Sequence, residues 1–149
     1  GDKEVQNFIY SEHLPTPSMV ILFDRFNLPP NVFELIFATE QQIIVAKELV
    51  KYIIGNKGEI TKTEMSVFAT KLHDGDYEAV LDRGQYKGKE VKLSYNKRQF
   101  YDRILTPMKA MGLVEYDLYK KTYKISVHFQ SDMMKIGIMW KEELRRLGV

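Results

Sequence analysis

A change of hydrophobic period at Gly112 constrains this chain more than any other feature. Upstream, apolar residues recur at spacings of three and four; downstream they alternate, the mark of a half-buried strand. The alternating stretches are 113–118 and 123–129, the second with Tyr123, Ile125, Val127 and Phe129 on one face and Lys124, Ser126 and His128 on the other. Tyr119-Lys120-Lys121-Thr122 joins them as a hairpin. The helical period then returns: Met133, Ile136, Trp140, Leu144 and Leu147 form a stripe widened by Met134, Ile138 and Met139, with Ser131 or Asp132 as its cap.

Three helices precede the hairpin. Ile43, Ile44, Ala46, Leu49, Val50, Ile53 and Ile54 define a long one that Gly55-Asn56-Lys57-Gly58 ends. It starts or restarts at Thr39-Glu40-Gln41-Gln42, after a short apolar segment (Val32, Phe33, Leu35, Ile36, Phe37) capped by Asn31. Glu59-Ile60 is extended, and Thr61-Lys62-Thr63-Glu64 is a capping box for a second helix with Met65, Phe68, Ala69 and Leu72 on its inner face, closed by His73-Asp74-Gly75-Asp76. Residues 76–92 read as a loop or small hairpin. Ser94 reads as the cap of a third helix with Tyr101, Ile104, Leu105, Met108 and Met111 buried, and Pro107 should kink or interrupt it near Thr106, because a ring there costs about 3 kcal/mol in a helix interior. Before all this, Leu14-Pro15-Thr16-Pro17 and Leu28-Pro29-Pro30 flank one β-prone run at 19–23, which reads as an arm with a single extended segment.

Composition narrows the class. A chain of 149 residues reads as one compact domain with a small appendage, burying roughly 70% of its unfolded surface. With no cysteine there is no disulfide framework, thiolate zinc site or cysteine nucleophile. No apolar run approaches the roughly 20 residues of a membrane span, so no membrane association is expected, and the expected location is cytoplasmic: on the nucleoid in a prokaryote or virus, or in the nucleus of a eukaryote. The net charge of +2 hides an asymmetry, since 83–124 holds 11 Lys+Arg against 4 Asp+Glu. Such a stretch fits an anionic partner; a lysine-rich solubilising face is the plainer reading.

Helix, helix, helix, two-stranded hairpin, helix is an α+β order. The run from Leu93 to Tyr116, Leu-Ser-Tyr-Asn-Lys-Arg-Gln-Phe-Tyr-Asp-Arg-Ile-Leu-Thr-Pro-Met-Lys-Ala-Met-Gly-Leu-Val-Glu-Tyr, resembles the third helix and wing of winged helix-turn-helix domains. The likeness rests on the Ser cap, an arginine ahead of Ile104-Leu105, Gly112, and Gly-Leu-Val-Glu leading into a hairpin that ends Tyr123-Lys124-Ile125-Ser126. The resemblance implies a three-helix core, a two-stranded wing and a C-terminal helix, organised as an arm and short helix over 1–38, a winged-helix domain over 39–129 with an insertion at 74–93, and a packing or dimerisation helix over 130–149.

It further implies a double-stranded DNA-binding protein, a transcriptional regulator, with helix 94–106 in the major groove and wing 113–129 on the backbone. On chemistry, Asn96, Arg98, Gln99 and Arg103 can read base edges, and Tyr95, Lys97, Lys120, Lys121 and Lys124 suit phosphates, joined by Lys87, Lys89 and Lys92 of the insertion. The plainer reading makes them solvated helix and hairpin residues. Tyr101 and Tyr123 belong to the core, while Tyr119 can reach a phosphate. Met133, Ile136, Trp140, Leu144 and Leu147 are expected to pack on the first helix, on the 32–37 segment, or on a second copy in a homodimer. The alternative function is a protein-interaction module in a transcription or replication assembly, including replication initiation or plasmid and viral maintenance. His13, His73 and His128 are isolated, and no phosphate loop or nucleophile elbow occurs, so neither enzyme activity, metal nor cofactor is expected.

Overall fold

The computed structural model describes residues 25–149. The extended run expected at 19–23 lies outside them. The described chain is a mixed α+β structure.

Asn31 starts α1 (Val32–Ile36) by accepting a hydrogen bond from the Glu34 backbone N–H at 3.2 Å. The chain then breaks and restarts at Thr39, which caps α2 (Glu40–Gly55) by accepting from the Gln42 N–H at 3.1 Å. Gln42 reaches one residue further back than a capping box requires: its Oε1 accepts from the Ala38 N–H, which fixes the corner between the helices. Strand β1 (Glu59–Thr61) leads into α3 (Lys62–Asp74), where the Thr61–Glu64 capping box forms in both directions. Gly75 closes α3 at φ 73°, a left-handed conformation that a Cβ disfavours.

The 76–92 region forms a hairpin, β2 (Tyr77–Val80) and β3 (Glu90–Leu93), which is a two-stranded sheet of its own. The third helix begins later than expected. Ser94 does not cap it, because the chain stays extended through Tyr95, whose N–H donates to the Leu72 carbonyl. Asn96 is the cap, accepting from the Gln99 N–H at 3.0 Å.

From there a continuous rod runs as α4 (Lys97–Gln99), a π-helical segment (Phe100–Leu105) and α5 (Thr106–Met111). The wider register accounts for Pro107. In the π segment the Thr106 N–H bonds to the Tyr101 carbonyl, five residues back, and a new α-helix starts with Pro107 in its first turn, where no N–H is required. The expected interruption is therefore a change of helical register. Met111, expected to be buried, is 37% exposed, and Gly112 ends the rod at φ 85°.

Strands β4 (Val114–Asp117) and β5 (Thr122–Ile125) form the expected hairpin, and β1 joins its far edge to give an antiparallel sheet of order β1-β5-β4. The second strand is shorter than the alternation implied. At Ser126 the chain turns: the Ser126 hydroxyl accepts from the His128 N–H, Val127 is 85% exposed, and Phe129 already belongs to α6 (Phe129–Arg146). Neither Ser131 nor Asp132 caps that helix. His128 occupies the cap position without a side-chain bond, and the Ser131 hydroxyl donates to the His128 carbonyl.

The core lies between α2, α3, the rod and the sheet. Ile43, Leu49 and Ile53 of α2 meet Met65, Phe68 and Leu72 of α3, and Phe100, Ile104 and Met108 of the rod close the third side. Phe68 and Phe100, with ring centroids 5.5 Å apart, each gain about 2–3 kcal/mol from leaving water. No side chain of α6 is fully buried: Ile136, Trp140 and Leu147 of its stripe are exposed, and Met133 and Leu144 are half-buried. No described helix is long and apolar enough to cross a membrane.

Candidate nucleic-acid interface

The start of the rod is fixed to α3 by four polar contacts. His73 Nδ1 accepts from the Lys97 backbone N–H at 3.1 Å, so it satisfies one of the donors that a helix leaves unpaired at its N-terminus. The Lys97 ammonium lies 3.0 Å from Thr70 Oγ1 and 3.4 Å from Ser66 Oγ. The Tyr95 N–H to Leu72 carbonyl bond, at 2.9 Å, completes the junction. Sequence reasoning missed Ser66, Thr70 and His73, whose roles depend on two helices meeting.

These bonds sort the expected contact residues. Tyr95 is corrected: it is 3% exposed and part of the core, so it is not on the outer face. Lys97 is half-buried and turned toward α3, with its charge beside two hydroxyls. Asn96, Arg98 and Arg103 are exposed, and Gln99 is half-buried. Arg98 and Asp102 form only a loose i,i+4 pair at 3.8 Å with side chains 92% and 66% exposed, a contact too weak to withhold the guanidinium from another anion.

The β4–β5 hairpin has an ordered, cationic turn. Asp117 Oδ1 accepts from the backbone N–H groups of Tyr119 (2.9 Å) and Lys120 (3.0 Å). The Lys120 N–H, with a smaller contribution from Tyr119 and nearby ammonium groups, holds the Asp117 carboxyl below its ordinary range. Lys121 takes a left-handed conformation at φ 56°, and its carbonyl accepts from the Lys62 N–H at 3.0 Å, which ties the hairpin to the beginning of α3. Lys120 and Lys121 are exposed and make no salt bridge among the described residues, and Tyr119 is 99% exposed. Lys124 faces Glu115 across the strands at 3.7 Å. Lys109 sits 5.9 Å from the ring centres of both Tyr116 and Tyr123, on the inner half of the hairpin.

The insertion is held elsewhere. Arg83 donates twice to Glu40 (2.7 and 2.9 Å) and once to Glu34 (2.8 Å), and Lys47 pairs with Asp82 at 2.7 Å. Burial works against the Arg83 charge, but the bonds and attraction of Glu40 and then Glu34 outweigh it and raise its pKa above the ordinary arginine value. Arg83, counted in the basic stretch, is thus an internal clamp. Lys87 and Lys89 are exposed in a loop whose clamp runs to α1 and α2, and Lys92 stands opposite Glu78 in the β2–β3 register. Among the described residues no salt bridge joins these three lysines to the rod or the β4–β5 hairpin. Nor does any group of three or more His, Asp or Glu among the described residues converge on a metal position.

The rod start thus offers exposed guanidinium groups at the C-terminal half of α3, and the ordered cationic turn is tied to that helix's first residue. No protein family, curated protein or solved structure matches this chain.

Proposed function

We infer that the chain is a winged helix-turn-helix protein that binds double-stranded DNA and acts as a transcriptional regulator. The supporting architecture is the succession α2, β1, α3, rod, β4, β5 with the sheet order β1-β5-β4, into which the β2–β3 hairpin is inserted. The observation that carries the reading is the pairing of two separate features. One is the exposed face of the rod's first turns, with Arg98 and Arg103 after the capping Asn96; the other is the Lys120-Lys121 turn, tethered to Lys62 at the start of α3, whose other end holds the rod start.

In this reading the rod start enters the major groove, where Arg98 and Arg103 can make paired hydrogen bonds to guanine edges while Asn96 holds the cap. The turn meets the backbone, with Lys120 and Lys121 neutralising phosphates. Lys97, beside Ser66 and Thr70, offers a phosphate one cation and two hydroxyls.

Selection from a random duplex pool tests the proposal: a recurring motif should be enriched, and Arg98→Ala should relax the preference at a base position without abolishing binding. A pool from which nothing is enriched would contradict the regulator and favour a protein-interaction module.

A further inference from the structure

The described fold leaves α6 unpartnered. At 3.6 residues per turn, Phe129, Met133, Ile136, Trp140, Leu144 and Leu147 fall within a sector of about 80°. Ile136 is 54% exposed, Trp140 62% and Leu147 67%, while Phe129, Met133 and Leu144 are half-buried, on a helix that spans roughly 27 Å. Next to it, an adjacent sector of about 80° carries Asp132, Lys135, Met139, Glu143 and Arg146.

The charge order in that second sector is self-complementary when the direction is reversed. If two copies of α6 lie antiparallel about a centre near Met139, Asp132 of one faces Arg146 of the other, Lys135 faces Glu143, and Met139 faces its own counterpart. The apolar residues obey nearly the same centre: Phe129 meets Leu147, Met133 meets Leu144, and Ile136 meets Trp140. In a parallel pair the charged flank would instead meet the other side of the helix, with Gln130, Met134, Gly137, Lys141 and Arg145, so Asp132 and Lys135 would lose the partners that the antiparallel order supplies. Within a single chain Arg146 contacts Glu143, an exposed pair of little energetic weight that re-pairs at small cost.

The register has a second consequence. Phe129 lines an apolar cleft of about 310 Å³ with Phe33, Val50, Met108, Leu113 and Ile125. Antiparallel pairing brings the other copy's Leu147 to Phe129, and so to the mouth of this cleft.

We propose that α6 is the interface of a two-fold homodimer in which two copies pair antiparallel, with Ile136 and Trp140 at the centre and each Leu147 seated at the other copy's Phe129 cleft. This goes beyond DNA binding and can hold or fail independently of it. The occupant is a second copy because the helix's own charges complement themselves in one orientation.

Engineered cysteines test it on the full chain without DNA, since the sequence contains no cysteine of its own. Under mild oxidation, an equimolar mixture of Met133→Cys and Leu144→Cys proteins should give a disulfide-linked heterodimer, while each alone should give little. Sedimentation should show a dimer whose Kd rises at least ~30-fold in Trp140→Glu. Arg146→Asp should weaken the dimer and Asp132→Arg/Arg146→Asp should restore it. Because α6 buries no side chain within one chain, these variants should keep the far-ultraviolet spectrum of the parent fold. Self-cross-linking of Met133→Cys alone would overturn the antiparallel register. A monomer throughout the micromolar range, with Trp140 engaged elsewhere or not at all, would overturn the interface.

Discussion

Replacing Arg83 with methionine separates charge that holds the fold from charge that meets a ligand. The guanidinium bonds Glu40 through two donors and Glu34 through one, and the three side chains are 20%, 30% and 17% exposed respectively. Methionine keeps most of the apolar stem but leaves two partly buried carboxylates facing each other without a cation. Removing one partner of a fully buried pair costs about 3–5 kcal/mol, and the residual solvent here reduces that to roughly 2–3 kcal/mol. Urea denaturation is the assay. With m near 1.5 kcal/mol/M, the midpoint should fall by about 1.5 M. Arg83→Lys should recover only part of this, because an ammonium cannot satisfy Glu40 with a planar fork. Arg83→Met combined with Glu34→Gln and Glu40→Gln should lie closer to the parent than Arg83→Met alone. Duplex affinity of folded Arg83→Met should be unchanged at every salt concentration. An unshifted midpoint accompanied by weakened DNA binding would refute the assignment of Arg83 as an internal clamp.

Other expectations follow from the same geometry. Asn96→Ala removes the rod's cap and should cost about 1 kcal/mol of unfolding free energy by denaturant titration, whereas Ser94→Ala should cost far less. Phe100→Ala should cost about 3–5 kcal/mol, since the ring is fully buried against Phe68. Pro107→Ala should change stability by less than about 1 kcal/mol, because the π register already removes the roughly 3 kcal/mol conflict of an interior proline; a gain near 3 kcal/mol would contradict that account. The Asp117 carboxyl should titrate below the ordinary aspartate value by NMR; its depressed folded-state pKa means that its stabilisation is present above the unfolded value and is lost as pH falls through the folded value. The Tyr119 and Lys120 amide signals should shift in that acid window.

Much of the scaffold was legible because it is encoded locally. The Thr61–Glu64 box, the left-handed glycines at 75 and 112 and the helical stripes each depend on residues within a turn or two. Misreadings arose where distant contacts overrode a local signal. Ser94 is a sound cap by type, but β3 pairing and the Tyr95–Leu72 bond hold the chain extended past it, so the next capping residue takes over. Alternation through Val127 and Phe129 imitates a strand, yet Ser126 bonds both Glu115 and the His128 N–H and turns the chain away. The Arg83 clamp spans 43 and 49 residues to its partners, a separation at which sequence pattern carries no geometric information. The cationic turn was visible in Lys120-Lys121, but the burial of Tyr95 and the contributions of Ser66, Thr70 and His73 emerge only when α3 meets the rod.

The salt dependence of duplex binding tests the central claim most directly. Fluorescence anisotropy of a labelled duplex, titrated at several sodium chloride concentrations, should give log K falling linearly with log salt at a slope of about −3.6 or steeper, as for four or more neutralised phosphates. Lys120→Ala/Lys121→Ala should make that slope shallower by about 1.8, and Lys87→Ala/Lys89→Ala should leave a larger share of it intact. A slope near zero, or one unaltered by removal of Lys120 and Lys121, would contradict the assignment of the rod and the Lys120-Lys121 turn as a DNA-binding surface.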